Sequence, residues 1–296
     1  PRAVAEHGDV ILKCLEDDDV TIRARALELL AGIVNKKNIR DIVARLILLI
    51  GRIDGSFRDE ILAKIVALCH ANQYANVLDF EWYLSVLTDL SRVQGTRRGG
   101  LIATQFLDVA LRVRDVRGFA ARVLISFLRD QRYYVNPFEG GVCEILDAAV
   151  WVLAEFYRDT VIECDPLQVL ELMLQARVSQ LPARIQATFM QNVLKFFTKM
   201  VAGEAAIKPE EDEDDEEDDE EDEEEEEPIK VEPCKPEVLA EAAQMVLNKL
   251  PLFTHSTHVE VQERACLAFE LAKLYVSSKE GGVDIGAQLF ALFDER

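Results

Sequence analysis

The chain has 296 residues, 49% of them hydrophobic, and its 54 acidic and 33 basic side chains give a formal charge of −21. One unbroken run of 18 carboxylates, Glu210 to Glu227, leaves 36 acidic against 33 basic groups elsewhere. A body so close to neutral lacks the basic face that nucleic-acid binding needs, and its apolar content excludes disorder outside the acidic run.

Apolar residues recur at helical spacing along most of the chain. Ile39, Ile42, Val43, Leu46, Leu49, Ile50 and Ile53 follow one another at intervals of 3, 1, 3, 3, 1 and 3, which is one face of a helix with 3.6 residues per turn. The same pattern predicts helices, in chain order, at 9–16, 19–34, 38–53, 56–72, 79–93, 99–113, 115–130, 141–158, 165–178, 181–202, 237–250, 258–277 and 284–293.

Several of these segments carry helix start signals. Asp19 and Asn38 are N-cap residue types, Ser56 is followed three positions later by Asp59, and Asp165 precedes Pro166 at the first helical turn. Asp54-Gly55 is a stop signal. Alternating strand patterns bounded by Asn-Gly or Asp-Gly turns are absent from the sequence, so we predict an all-α protein.

The predicted helix starts also indicate a repeat. Starts at 19, 56 and 99, and at 38, 79 and 115, are separated by 37, 43, 41 and 36 residues, near the ~40–47 residues of HEAT and armadillo units. Val20–Ala26 and Val259–Ala265 share aliphatic residues, an arginine and an alanine at equal offsets. We therefore predict an α-α superhelix, a HEAT/armadillo-like solenoid of about 12 helices, with a compact helical domain as the alternative.

One segment interrupts the helical pattern. Pro209, Pro228, Pro233 and Pro236 flank the acidic run, and prolines together with mutual repulsion of carboxylates oppose packing. We predict a solenoid over 1–203, a disordered acidic loop over 204–236, and final helices over 237–296 that continue the solenoid. Two interpretations of the run stay open: a solubilising insertion, or a site for a basic partner or calcium.

The cysteines and the chain start indicate the compartment and the context. Six dispersed cysteines without a CxxC pair are typical of reduced thiols in a cytosolic protein. No apolar stretch reaches the ~18–20 residues of a membrane span. The opening Pro1-Arg2-Ala3 has no methionine and no signal segment, which predicts a fragment of a larger protein.

The sequence has few candidates for catalytic or metal-binding residues, and none of them forms a pattern that indicates catalysis. His255 and His258 have no further metal ligand nearby, and Cys69 and His70 are adjacent helical residues that face different directions. The glycine pairs at 99–100, 140–141 and 281–282 indicate turns. We assign no catalytic, cofactor-binding or metal-binding residue, expect no cofactor, and leave the partner-contacting residues unassigned.

Two surface features are candidates for interactions. Lys36-Lys37 and Arg97-Arg98 fall at corners between helices, where we expect a solenoid to present them along one edge, either solvated or facing lipid head groups. The aromatic cluster Phe80–Tyr83 stands at a helix start. We expect Trp82 and Tyr83 to pack adjacent hairpins together rather than to bind a base or a sugar.

Ten short phrases of the sequence form an ordered set, at 14–30, 34–39, 57–62, 80–84, 95–97, 101–103, 107–113, 181–182, 185–187 and 191–193. This set resembles the adaptin family, the large subunits of clathrin-type adaptor complexes, and within it the delta-adaptin branch of adaptor protein complex 3. The resemblance is good over about residues 1–200 and looser over the last 60.

This resemblance implies a later part of the trunk of a heterotetramer with beta, mu and sigma subunits, which sorts membrane cargo from Golgi or endosomes toward the lysosome or vacuole. It implies a cytoplasmic scaffold, peripheral on Golgi, endosomal and transport-vesicle membranes, that works by binding and not by turnover. The alternative is a HEAT-type scaffold or transport receptor outside this family whose acidic loop binds a basic partner. An enzyme would need a catalytic constellation that the sequence lacks.

Overall fold

The computed structural model describes residues 8–53, 55–93, 95–206 and 232–293, and every regular element in these ranges is a helix. The all-α prediction is confirmed. The acidic run at 210–227, on which the prediction of a disordered loop centres, lies outside the described residues. The chain divides into two compact units, unit 1 at Pro1–Ala149 and unit 2 at Val150–Arg296.

Unit 1 is a succession of helices that pack mainly in consecutive pairs along the chain. Its helices are α1 Gly8–Cys14, α2 Val20–Leu29, α3 Ile39–Ile50, α4 Ser56–Tyr74, α5 Phe80–Ser91, α6 Gly99–Arg112, α7 Arg117–Arg129 and the start of α8 Ile145–Glu155. Observed starts at 20, 56 and 99, and at 39, 80 and 117, preserve the predicted repeat. On α3 the predicted apolar stripe from Ile39 to Ile50 is buried.

Unit 2 is built around the 20-residue helix Ala183–Ala202. Beyond α8 it contains α9 Tyr157–Glu163, α10 Pro166–Met173, α11 Ala183–Ala202, α12 Pro236–Lys249, α13 Pro251–Thr254, α14 Val259–Glu280 and α15 Gly286–Ala291. Helix α11 packs against α14 and α15, so elements on both sides of residues 207–231 share one core. Phe196 and Phe197 on α11 are fully buried, each stabilising the fold by about 1.5–3 kcal/mol.

Half of the predicted start signals act as expected. The carboxylates of Asp19 and Asp165 accept hydrogen bonds from the Thr21 and Leu167 amides at 2.7 and 3.1 Å. Asn38 occupies the N-cap of α3, but its side-chain amide donates to the Ile33 carbonyl instead of capping the helix. The Asn38 side chain therefore bonds to the preceding loop, a partner that the helical pattern does not reveal.

The largest difference from the predicted helices lies at 141–158. The predicted single helix is a 3-10 turn at Val142–Glu144, then α8, and then α9, which runs on to Glu163. Phe156 breaks the helical path, with φ −93° and ψ 56°, and its ring lies edge-on to Trp151 at 6.3 Å between centroids. A packing contact therefore overrides a continuous helical periodicity.

The end of α4 is a left-handed turn made without glycine. Asn72, Gln73 and Tyr74 have φ values of 51°, 56° and 63°, a conformation that costs ~1 kcal/mol or more for a residue with a Cβ. The turn places the buried Tyr74 ring 5.5 Å from Phe80 and 5.7 Å from Tyr83, measured between centroids. Tertiary packing of Tyr74 therefore offsets the strain.

We predict that Gln73→Gly stabilises the protein, because glycine adopts this conformation without strain and the exposed Gln73 side chain makes no hydrogen bond to another described residue. The expected gain in unfolding free energy in urea is about 0.5–1 kcal/mol. The matched control, Ala67→Gly at an exposed and regular position of the same helix, should lower it by about 1 kcal/mol. A loss in both variants would contradict the strain at Gln73.

Candidate interaction surfaces

The two histidine candidates of the sequence lie in separate, exposed settings. His255 Nδ1 is 2.9 Å from the Pro251 carbonyl oxygen, and His258 occupies the N-cap of α14. Within the described ranges, no group of three or more His, Cys, Asp and Glu side chains is arranged to hold a metal ion.

Cys69 and His70 face different environments, although they are adjacent. Cys69 is fully buried, and burial raises the pKa of its thiol to about 12. His70 is half exposed, with Nε2 3.7 Å from Asp108 Oδ2. A thiol with such a pKa stays protonated and is a poor nucleophile at neutral pH, so this pair is part of the packing.

The loops of unit 1 alternate between two edges. Arg40, at the start of α3, donates to Asp79 in the loop before α5 at 2.8 Å, which defines a first edge made by the loops before α3, α5 and α7. Asp59, at the start of α4, accepts from Thr96 in the loop before α6 at 2.6 Å. This contact defines a second edge, made by the loops before α4, α6 and α8.

This alternation separates the two basic pairs. Lys36-Lys37 precede α3 and lie on the first edge, whereas Arg97-Arg98 precede α6 and lie on the second. The 12 residues of α3 span about 18 Å between the edges. The prediction that both pairs lie along one edge is therefore wrong, because an odd number of helices separates them. Both pairs are exposed.

Asp59 joins two of the phrases that carry the family resemblance. Its Oδ1 accepts from the buried Thr96 hydroxyl at 2.6 Å, and its Oδ2 accepts from the Arg97 amide at 3.1 Å. The sequence predicted a capping role for Asp59 with Ser56, but Gly55, with φ 81°, occupies the N-cap. The carboxylate instead fixes the loop that carries Arg97 and Arg98.

Two glycine pairs meet on the same edge. The Gly99 amide donates to the Gly140 carbonyl at 3.0 Å, and a Cβ at Gly99 would lie 1.8 Å from the Gly141 carbonyl oxygen. The Glu144 carboxylate accepts from the Gly140 amide at 2.9 Å. The pairs are therefore more than the turns that the sequence predicted, because close backbone approach requires glycine there.

A polar network that is buried at Gln105 and partly exposed at Asp108 ties α4, α5 and α6 together near the first edge. The Tyr74 hydroxyl lies 2.5 Å from Asp108 Oδ2 and 3.1 Å from Gln105 Oε1, and the Tyr83 hydroxyl donates to the same Gln105 oxygen at 2.9 Å. Arg112 Nε donates to Asp108 Oδ1 at 2.7 Å. The two buried bonds to Gln105 have satisfied partners, and such bonds fix the mutual position of helices.

The network also sets the protonation of its members. Burial, and then the hydrogen bond to Asp108, raise the pKa of Tyr74 above its ordinary value. Partial burial alone would raise the pKa of Asp108, but the hydrogen bonds from Tyr74 and Arg112 outweigh it and hold this pKa below the usual range. Asp108 is therefore an anion and Tyr74 a donor at neutral pH.

The aromatic cluster at the start of α5 is divided between the core and the surface. Tyr83 is fully buried, as the packing role requires, while Trp82 is half-buried beneath the Arg40 guanidinium, 5.3 Å from its centroid. The Asp79 carboxylate accepts from the Trp82 amide, which caps the start of α5, and also from the Arg40 guanidinium, with which it forms an ion pair. The cluster therefore locks α3 against α5.

These arrangements present rigid loops and helix faces rather than a reaction centre. Sequence reasoning missed two contacts, that of Asp59 with Thr96 (the Asp59 junction) and that of Gly99 with Gly140 (the glycine junction). The first joins two of the phrases, and the second joins two glycine pairs that the sequence identified only as turns. No local signal pairs these residues, because Asp59 and Thr96 are 37 positions apart and Gly99 and Gly140 are 41 apart, so only the three-dimensional contacts reveal them.

A family model, "Adaptin N terminal region", matches residues 1–276. The chain is 44% identical to the AP-3 complex subunit delta of Dictyostelium discoideum over 299 aligned residues, which cover 100% of the chain and 25% of that protein. It is 37% identical to the AP-3 complex subunit delta-1 of Bos taurus over 99% of the chain and 22% of that protein. The chain thus spans about a quarter of the length of these relatives.

The fold has a counterpart among known structures. A chain described as "Homology model of the full-length AP-3 complex in an intermediate open conformation" superposes with a TM-score of 0.70 at 20% sequence identity, covering 98% of this chain and 49% of that one. This likeness supports an adaptin-type helical solenoid. At such low identity it bears on the fold alone.

We predict that Gly99→Ala destabilises the protein by about 1–3 kcal/mol or more, because the added methyl meets backbone and not a movable side chain. Urea unfolding followed by circular dichroism measures the loss. The control is Gly51→Ala, where the added Cβ lies 3.6 Å from its nearest neighbour and φ is −67°, and its stability should be unchanged or slightly raised. Equal stability of both variants would argue against the glycine junction.

We predict that Asp108→Asn lowers the unfolding free energy at pH 7 by about 1.5–3 kcal/mol, the range for a hydrogen bond to a charged group. A carboxyl whose folded pKa is depressed contributes stability above its unfolded pKa of about 3.9, and the contribution is lost as pH falls through the folded value. The gap between parent and variant should therefore begin to narrow as pH falls below about 4 and should close only below the folded pKa of Asp108. The control, Asp41→Asn at an exposed position of α3, should lower the unfolding free energy at pH 7 by less than Asp108→Asn does.

Proposed function

The chain belongs to the adaptin family, and on that premise we propose that it is a scaffold segment of a delta-type large subunit in an adaptor protein complex 3. The observation that carries this proposal is the match of the family model over residues 1–276, together with relatives named as AP-3 delta subunits that align with the whole chain. The chain spans only about a quarter of the length of these relatives. The partners and the transport role of the whole protein are therefore part of this proposal.

The proposed partners are the beta, mu and sigma subunits of the same complex. The proposed task is intracellular protein transport, the sorting of membrane cargo from Golgi or endosomes toward the lysosome or vacuole. The protein would be cytoplasmic and peripheral on Golgi, endosomal and transport-vesicle membranes, reaching them through the complex. No helix in the described ranges is long and apolar enough to cross a bilayer.

The mechanism is binding without turnover and without a cofactor. A helical solenoid gains affinity from many modest contacts on successive repeats, and such contacts add up only if the repeats hold their mutual positions. The Asp59 junction, the glycine junction and the Tyr74 network supply that rigidity within unit 1. The near-neutral body offers nucleic acid no electrostatic attraction.

We further propose that residues 1–203 and 237–296 belong to one solenoid interrupted by an insertion at 204–236. Packing of α11 on α14 and α15 supports this division, because it joins helices from both sides of the insertion in unit 2. The acidic run is then a solubilising insertion and not part of the scaffold.

Affinity purification of the full-length parent protein tests the scaffold role. We expect it to recover the beta, mu and sigma subunits, and we expect a parent that lacks Glu210–Glu227 to recover them equally well. Absence of all three subunits at low salt would contradict the adaptor assignment and favour a HEAT-type transport receptor. Loss of assembly only in the deletion variant would instead contradict the passive role of the acidic run.

A further inference from the structure

A groove in unit 2 has a composition that the scaffold role does not explain. It encloses about 610 Å³ along one face of α11, between the end of α8 on one side and α14 and α15 on the other. Thr188 and Lys199 mark its ends on α11, a distance of about 16 Å along the helix. Such a length accommodates about five residues of an extended chain at ~3.3 Å each.

The charge of the groove is unbalanced. Its lining contains three cationic side chains, Lys195, Lys199 and Arg264, and one carboxylate, Glu155. Lys195 pairs with the Glu155 carboxylate and Lys199 Nζ donates to the Glu155 carbonyl at 2.6 Å, so both ammonium groups converge at the end of α8. Arg264, on the opposite wall, pairs with the exposed Glu260 at 2.6 Å. With Glu260 included, three cationic groups stand against two carboxylates, and this excess favours an anionic occupant.

The remaining lining distinguishes between kinds of anionic occupant. The exposed Gln191 offers both amide donors and an acceptor, which match the free backbone groups of an extended peptide better than a helix, whose backbone is satisfied internally. Trp151 lines one wall, with Lys195 Nζ 6.0 Å from its ring centroid, and Phe290 and Phe293 line the other. Aromatic walls of this kind suit the apolar stems of peptide side chains.

We propose that this groove binds an extended acidic peptide segment of a partner protein, with Gln191 bonded to its backbone, Arg264 and the two lysines facing its carboxylates, and Trp151 covering its side chains. The site goes beyond the scaffold role and is independent of it. Subunit assembly is tested by affinity purification and the groove by peptide titration, so either proposal can fail without the other.

Tryptophan fluorescence tests the proposal on the 296-residue chain. The sequence has two tryptophans, so Trp82→Phe leaves Trp151 as the only reporter, in the groove wall. The probe is a ten-residue peptide alternating glutamate and serine, compared with the same peptide carrying glutamine for glutamate. We expect a saturable change in Trp151 emission with the acidic peptide, weaker at higher salt, and at least about tenfold weaker binding of the glutamine peptide.

Two substitutions assign the binding to the groove. Arg264→Gln should weaken it about fivefold to tenfold, and it leaves only the exposed Glu260 without its partner, so folding should be unaffected. Lys273→Gln is the matched control, because Lys273 lies nine residues further along α14, half a turn away around the helix, and is exposed. Its affinity should equal that of the parent.

Several results would overturn the proposal. Equal binding of the acidic and glutamine peptides, or unchanged binding in Arg264→Gln, would remove the charge recognition. A Trp151 response to phosphatidylserine vesicles but not to the peptide would assign the groove to lipid. Peptide binding seen only after deletion of Glu210–Glu227 would identify the chain's own acidic run as the occupant instead of a partner.

Discussion

Each helix of this protein carries an apolar face that only a neighbouring helix can cover. On α3 the stripe from Ile39 to Ile50 is buried between its neighbours, and on α11 the buried face includes Phe196 and Phe197. At about 25 cal/mol per Å² of apolar surface removed from water, this burial is the largest favourable term in the fold. It is non-directional, however, and does not by itself fix how one hairpin is placed on the next.

Polar contacts supply the missing direction. Asp59 ties the start of α4 to the loop before α6, Gly99 allows the loops before α6 and α8 to touch, and Asp108 joins α6 to the end of α4. The left-handed turn at Asn72–Tyr74 costs backbone strain of order 1 kcal/mol per residue. Burial and hydrogen bonding of the Tyr74 side chain offset this cost, so the turn persists. A surface held in this way is suited to repeated, simultaneous contacts with partner proteins.

The charge of −21 is mainly a property of one segment and not of the folded body. Outside Glu210–Glu227 the acids and bases nearly cancel, and many are paired across helices or within a turn. Against that balance, the cationic excess between α8, α11 and α14 is a local departure, and it lies along a groove with amide and aromatic walls. This combination of charge and shape, rather than the net charge, makes the groove a candidate for recognition of an acidic segment.

The sequence by itself determined the all-α class, the approximate helix positions, the repeat of about 40 residues and the family, because apolar periodicity and short phrases are local properties. It could not place Lys36-Lys37 and Arg97-Arg98 on opposite edges, break the segment 141–158 at Phe156, or bring Asp59 to Thr96. The separation of the basic pairs, the Asp59–Thr96 contact and the groove beside α11 depend on residues far apart in the chain, whereas the break at Phe156 depends on how its ring packs against Trp151. Only the tertiary structure decided them, because the packing of helices chooses which loops and side chains meet.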